Sequence, residues 1–185
     1  MKLNLILLVV TTTLILSACA SATAEPTPEA DMTFQLTSEA FTNGQSIPAK
    51  YACVGRNISP ALVWTDAPVD TQSFALIMDD PDAPFGTWVH WVLYNINPDQ
   101  RELQEDLPIT GKNIDPEAIY VGKNSAGNIG YDGPCPPSGT HRYYFKLYAL
   151  DTLISLLPGA SKEQLLKEMD GHILAQTELM GTFSK

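Results

Sequence analysis

The run Phe74-Ala75-Leu76-Ile77-Met78 is apolar at every position, the pattern of a strand covered on both faces. It stops at Asp79-Asp80-Pro81-Asp82-Ala83-Pro84. The two prolines fix φ and remove backbone donors, so this turn is stiff and cannot belong to an inner strand. Gly86 supplies its flexible point. A second strand then spans Trp88 to Ile96. Strict alternation puts Trp88, His90, Val92 and Tyr94 on one face and Val89, Trp91, Leu93 and Asn95 on the other. An ionisable ring early in so apolar a strand needs a polar partner. Asp80 and Asp82 are the nearest candidates along the chain.

The chain has 185 residues, which suits one folded domain, and 44% hydrophobic residues, enough for a core. Its 14 prolines argue for a loop-rich β protein rather than a helical one. A formal net charge of -10 argues against nucleic acid, or anionic lipid met through a basic patch, as the partner.

Residues 1–18 read as a targeting segment: Lys2 gives the positive end, and Leu5 to Leu16 an apolar run too short for a flanked membrane span. Leu16-Ser17-Ala18-Cys19 resembles the lipobox of bacterial lipoproteins. That resemblance implies a lipid on Cys19, export across the cytoplasmic membrane and anchoring at the cell envelope. An ordinary secretory signal is the alternative. Durable anchoring takes more than one acyl chain. Residues 19–31, rich in Ala, Pro, Thr and Glu, form a tether without apolar periodicity, and the folded domain is expected over 32–185. With Cys19 taken by lipid, Cys53 and Cys135 remain as an even pair in an oxidising compartment. A disulfide is the default there, two free buried thiols the other reading. No zinc site is expected, since Cys-x-x-Cys and closely paired histidines are lacking. No cofactor is implied.

Further strands are expected at Thr33 to Thr37, Ala61 to Thr65 and His141 to Leu150. In the last, His141, Tyr143, Phe145, Leu147 and Ala149 share a face. Asp99 to Leu107 reads as one or two short helical turns. Ser161 and Gln164 have capping-box spacing ahead of the stripe Leu165, Leu166 and Met169, so a short helix should end near Asp170-Gly171. Ile173 to Thr182 suits either helix or closing strand. Pro108 to Gly139 has no sustained period, and structureless stretches of that length are commonly functional. Short strands broken by frequent turns, with one or two late helices, give an antiparallel β-sandwich of two sheets.

Two strands carry an inward-facing histidine near one end, His90 and His141, each after a loop dense in Pro and Gly. Neighbouring strands would bring both imidazoles and a carboxylate to one pocket mouth. A carboxylate beside a histidine holds it charged and oriented, and an imidazolium with loop N–H groups makes an anion pocket. Tyr143 could add a hydroxyl. Arg142 could equally clamp a carboxylate of the first loop. His172 reads as structural.

The blocks Asp80-Pro81-Asp82-Ala83-Pro84, Trp88-Val89-His90-Trp91 and Gly139-Thr140-His141-Arg142-Tyr143 resemble the signatures of the phosphatidylethanolamine-binding protein family. Asn57-Ile58-Ser59-Pro60, Gly130-Tyr131-Asp132-Gly133-Pro134-Cys135-Pro136-Pro137 and Asp170-Gly171-His172 are similar to its bacterial Raf-kinase-inhibitor-like branch. The resemblance covers Met32 to Lys185. It implies a two-sheet β-sandwich with an anion pocket formed by Asp80, His90, His141 and Tyr143 and rimmed by Pro136 and Pro137. It also implies a cis Ala83–Pro84 bond. A shorter loop between Phe85 and Trp88 and the lack of a long C-terminal helix set the chain apart from eukaryotic members and their kinase partners. The leading expectation is a non-enzymatic module binding a small anion or phosphorylated ligand, such as a phospholipid head group, and not nucleic acid. The alternatives are an inhibitory or interaction module acting on an envelope kinase or protease, its partner unknown, and a His–Asp hydrolase, which lacks a Gly-x-Ser-x-Gly elbow.

Overall fold

The computed structural model describes residues 33–108 and 119–185. The expected signal segment, Cys19 and the tether lie outside the described residues. Strand β3 (Ser73–Asp80) is buried along its whole length, as its unbroken apolar run requires. It is the middle strand of a five-stranded antiparallel sheet. β4 (Trp88–Ile96) lies on one side of it and β7 (Thr140–Leu150) on the other. β6 (Tyr120–Val121) extends the sheet beyond β4, and β8 (Ile173–Ser184) beyond β7. A second antiparallel sheet holds β1 (Gln35–Thr37), β2 (Leu62–Thr65) and β5 (Glu102–Leu103), with β2 central.

The expected two-sheet sandwich is thus the architecture. Its core is closed by Leu36, Leu62 and Trp64 of the small sheet against Phe74, Leu76, Phe145 and Leu147 of the large one. The outer face of the large sheet is covered by helix α1 (Lys162–Met169), whose Leu165 and Met169 meet Ile77, Val92 and Tyr148. The helix begins as its sequence specifies. Ser161 Oγ accepts from the Gln164 N–H, and Gln164 Oε1 accepts from the Ser161 N–H.

Three expectations need correction. The central strand does not stop at Met78: Asp79 and Asp80 are its last two residues, and the turn begins at Pro81. Asp99 to Leu107 is not helical: Glu102–Leu103 is β5, paired with Leu62 and Val63. A two-residue strand is set by its partner and is too short for a period to register. No cis peptide bond occurs among the described residues, so Ala83–Pro84 is trans. The ambiguous segment from Ile173 resolves as strand β8, which pairs along nearly all of β7.

Asp79 and Asp80 are consecutive, so the pleat sends them to opposite faces of the large sheet. Asp79, fully buried on the helix side, accepts from Lys146 Nζ at 2.9 and 3.1 Å and also from Lys162 Nζ at the start of α1. One carboxylate therefore ties β3, β7 and the helix together. Asp79→Ala leaves two partly buried lysines facing each other, and the expected loss is about 2–3 kcal/mol, read from urea unfolding.

Candidate anion pocket

Asp80, the last residue of β3, faces the space between the sheets and is nearly buried. Its Oδ2 accepts from His141 Nδ1 of β7 at 2.7 Å, and its Oδ1 accepts from the backbone N–H of Asp82 at 2.8 Å. His90 reaches the same place from β4, across β3 from β7, by a β-bulge. Met78 pairs with Trp91 but Asp79 with Val89, leaving His90 as the extra residue. The bulge turns His90 off the Val92–Tyr94 face to which strict alternation assigns it. Its ring packs edge-on to Tyr143, with centroids 5.2 Å apart. His90 Nδ1 lies 2.6 Å from the carbonyl oxygen of Asp132, not against Asp80 or Asp82. That carbonyl can only accept, so Nδ1 carries the proton.

Both histidines line a cavity of about 630 Å³ at this end of the sandwich, with Asp80 in its wall. The turn after β3 forms one lip. Asp82 is gripped by Arg142, whose backbone N–H and Nε donate to Oδ2 at 2.9 Å and whose Nη2 donates to Oδ1 at 2.6 Å. Beyond this anchor Phe85 stands wholly in solvent and Trp88 is partly exposed. The opposite wall is made where segment 51–57 crosses segment 131–137. The Cys53 N–H donates to the Pro134 carbonyl, and the Gly133 N–H to Asn57 Oδ1 at 2.7 Å. A Cβ on Gly133 would sit 2.1 Å from the Tyr51 carbonyl oxygen, so only glycine permits the crossing. The Cys53–Cys135 disulfide joins the two segments, and both cysteines are exposed rather than buried.

Burial pulls the His90 imidazole below its ordinary value of 6.5, against the opposing pull of the Asp132 carbonyl and the nearby carboxylates. The Arg142 guanidinium holds Asp82 down at about 2. Burial, helped by the Asp80 charge, pushes the Tyr143 phenol up.

Of the expected pocket residues, Asp80, His90, Pro136, Pro137 and His141 line the cavity. Tyr143 does not. It is fully buried behind the histidines, and its hydroxyl has no hydrogen-bond partner among the described residues. Its place is to back the His90 ring. The sequence reading missed the Asp132 carbonyl, because a backbone acceptor leaves no mark in side-chain identity. It also missed Ser125, a cavity residue whose Oγ accepts from the Val89 N–H at 2.8 Å.

A two-layer antiparallel sandwich with a pocket at one end, lined by two imidazoles and a carboxylate from three adjacent strands, defines the structural class. The chain belongs to the phosphatidylethanolamine-binding protein family, whose model matches residues 37–184. It is 49% identical over 150 residues to a UPF0098 protein of Methanothermobacter thermautotrophicus, covering 81% of this chain and 98% of that one. Among solved structures it is similar to a putative phosphatidylethanolamine-binding protein homologue from Chlamydia trachomatis. That match has 48% identity and a TM-score of 0.75, and it covers 82% of this chain and 97% of the other. It is also similar to E. coli YbcL, with 31% identity, a TM-score of 0.75 and coverage of 82% and 98%.

The depressed Asp82 value gives a test of the lip. A carboxylate lowered in the folded state adds stability above its unfolded value of about 4 and loses it as pH falls through the folded value. The wild type should therefore unfold at higher urea than Asp82→Asn at pH 6. The gap should close as pH drops from about 4 toward 2.

Proposed function

We propose that this domain is a receptor for small oxyanions and phosphate-bearing ligands, a phospholipid head group or a phosphorylated small molecule. A lipid on Cys19 and the tether would hold it at the cell envelope. The observation that carries the reading is the pair of imidazoles. His90 and His141 are both more than nine-tenths buried, both have Nδ1 occupied, and both line one cavity. Charged, the two rings would present Nε2–H donors to an oxyanion in a confined, partly desolvated site. The cavity is several times larger than a bare phosphate and leaves room for its substituent. The family's name and the descriptions of the solved relatives point the same way.

Binding is favoured over hydrolysis by the hydrogen bonds at the site. Ser125 Oγ accepts from the backbone N–H of Val89, and among the described residues no hydroxyl is hydrogen-bonded to either imidazole. Calorimetric titration with inorganic phosphate tests the reading. Affinity should strengthen as pH falls below 6.5, because His90 is held beneath that value. His141→Ala should weaken binding by about tenfold or more, the loss of one charge-assisted hydrogen bond. A wild-type affinity that is flat with pH and untouched by His141→Ala would remove the reading.

A second role, docking of an envelope protein over the pocket mouth, is favoured by the full exposure of Phe85 and the exposure of Trp88 on the same cavity rim. Phe85→Ser should leave phosphate affinity within about twofold if the rim serves a partner, since loss of one exposed ring takes no donor from the anion. A larger loss in the same titration would assign Phe85 to the ligand itself.

A further inference from the structure

We infer that the pocket selects oxyanions that bring their own proton, binding hydrogen phosphate, or a phosphate monoester as its protonated monoanion, through P–OH to Nε2 of His90 and discriminating against sulfate. This inference rests on the oxyanion-receptor reading and narrows its ligand to a phosphate that carries a P–OH, which excludes a diester head group. The argument is one of tautomers. The Asp132 carbonyl, 2.6 Å from His90 Nδ1, has lone pairs only, so the ring proton of neutral His90 is committed to Nδ1. Nε2 of the neutral ring is then a lone pair. It has no hydrogen-bond partner among the described residues, and it is not sealed from solvent. The ring cannot flip to offer a donor without abandoning the Asp132 carbonyl inside a nearly buried site.

His141 differs in its partner. Asp80 Oδ2 accepts from its Nδ1 in either charge state of the ring, and serves as counter-ion when the ring is charged. The site therefore holds one imidazole with a built-in counter-ion and one with a neutral acceptor behind it. Around His90, burial favours that division and the neighbouring carboxylates oppose it. Asp79 and Asp80 of β3, Asp132 of the facing loop and the buried Tyr143 of β7 surround it. The Arg142 guanidinium is engaged by Asp82. Burial keeps the ring neutral against those carboxylates. An incoming oxyanion thus meets a donor at His141, once charged, and a lone pair at His90. An oxygen carrying hydrogen satisfies that lone pair, whereas a bare oxygen opposes it.

Hydrogen phosphate and sulfate make the comparison clean. At about pH 8 both are tetrahedral dianions, and they differ by one proton. Competition titrations of the wild type with the two salts at equal ionic strength should favour phosphate by about tenfold or more, the effect of leaving one acceptor opposed. Sulfate should draw about one more proton from buffer than phosphate does, read by calorimetry in buffers of different ionisation enthalpy. The preference should shrink as pH falls and His90 is protonated. His90→Gln, which exchanges the lone pair for an amide able to donate, should abolish the preference. The proton count in the wild type decides the matter if that variant unfolds. Equal affinity for the two anions at both pH extremes, with equal proton uptake, overturns the selectivity and leaves the oxyanion receptor standing. Binding of neither anion overturns both.

Discussion

Asp80 is the point at which fold and site become one structure. It ends the central strand of the large sheet, so the strands on either side bring the two histidines to it without any long-range loop. Its two oxygens are divided, one accepting from His141 and the other from the backbone of the turn that forms the pocket lip. A buried carboxylate without such partners would be costly. Here the partners are a cavity-lining ring and the turn that forms the cavity lip, so the requirement to satisfy the acid is also what orients the candidate site. Asp79 does the same on the other face, where its partners are lysines and the result is a clamped helix.

The pocket is rigid where recognition needs it and open where it does not. His90 is fixed by a bulge, a buried aromatic edge and a carbonyl. The wall holding that carbonyl is fixed in turn by the Gly133 crossing and a disulfide between residues 82 apart. Preorganising donors and acceptors before the ligand arrives lowers the ordering cost of binding. The most exposed large side chain at the mouth, Phe85, lies beyond the Asp82–Arg142 anchor, next to Gly86 at a φ of 105°.

How far the sequence could be read depended on what carried each feature. The unbroken apolar run of β3 and the alternation of β7 are long periodic signals, and both strands form where expected. The capping box of α1 is a two-residue code with one geometric meaning, and it closes as written. The family blocks located Asp80, His90, His141 and the two prolines. Illegible features were those made by backbone. The bulge that turns His90 depends on how Val89 and Trp91 pair with β3, and alternation alone puts the ring on the wrong face. Tyr143 shares a face with His141, as alternation says. Sharing a face did not reveal that the ring would lie behind the site rather than in it. β5 exists because β2 offers it an edge.

The proposed anion receptor sits in a chain of formal charge -10, and the pairing around the pocket bears on how the two fit together. Three of the acids nearest the site are already matched, while Asp132 of the cavity wall meets only the Asn57 amide among the described residues. Asp79 faces two lysines, Asp80 faces His141, and Asp82 is held by three donors of Arg142. Farther along the surface Glu105 is engaged by Lys50 and Tyr51. Charges matched at contact leave only short-range fields, and the excess acids elsewhere are screened over about 8–10 Å in physiological salt. What an anion meets inside the cavity is therefore set by which lone pairs and protons the imidazoles present, not by the total charge of the protein. Net charge still acts at a distance, slowing the approach of free anions and favouring ligands or partners that bring cationic groups to the outer surface. A ligand joining a phosphate to an ammonium group would satisfy both levels, the pocket taking the phosphate and the acidic surround the cation.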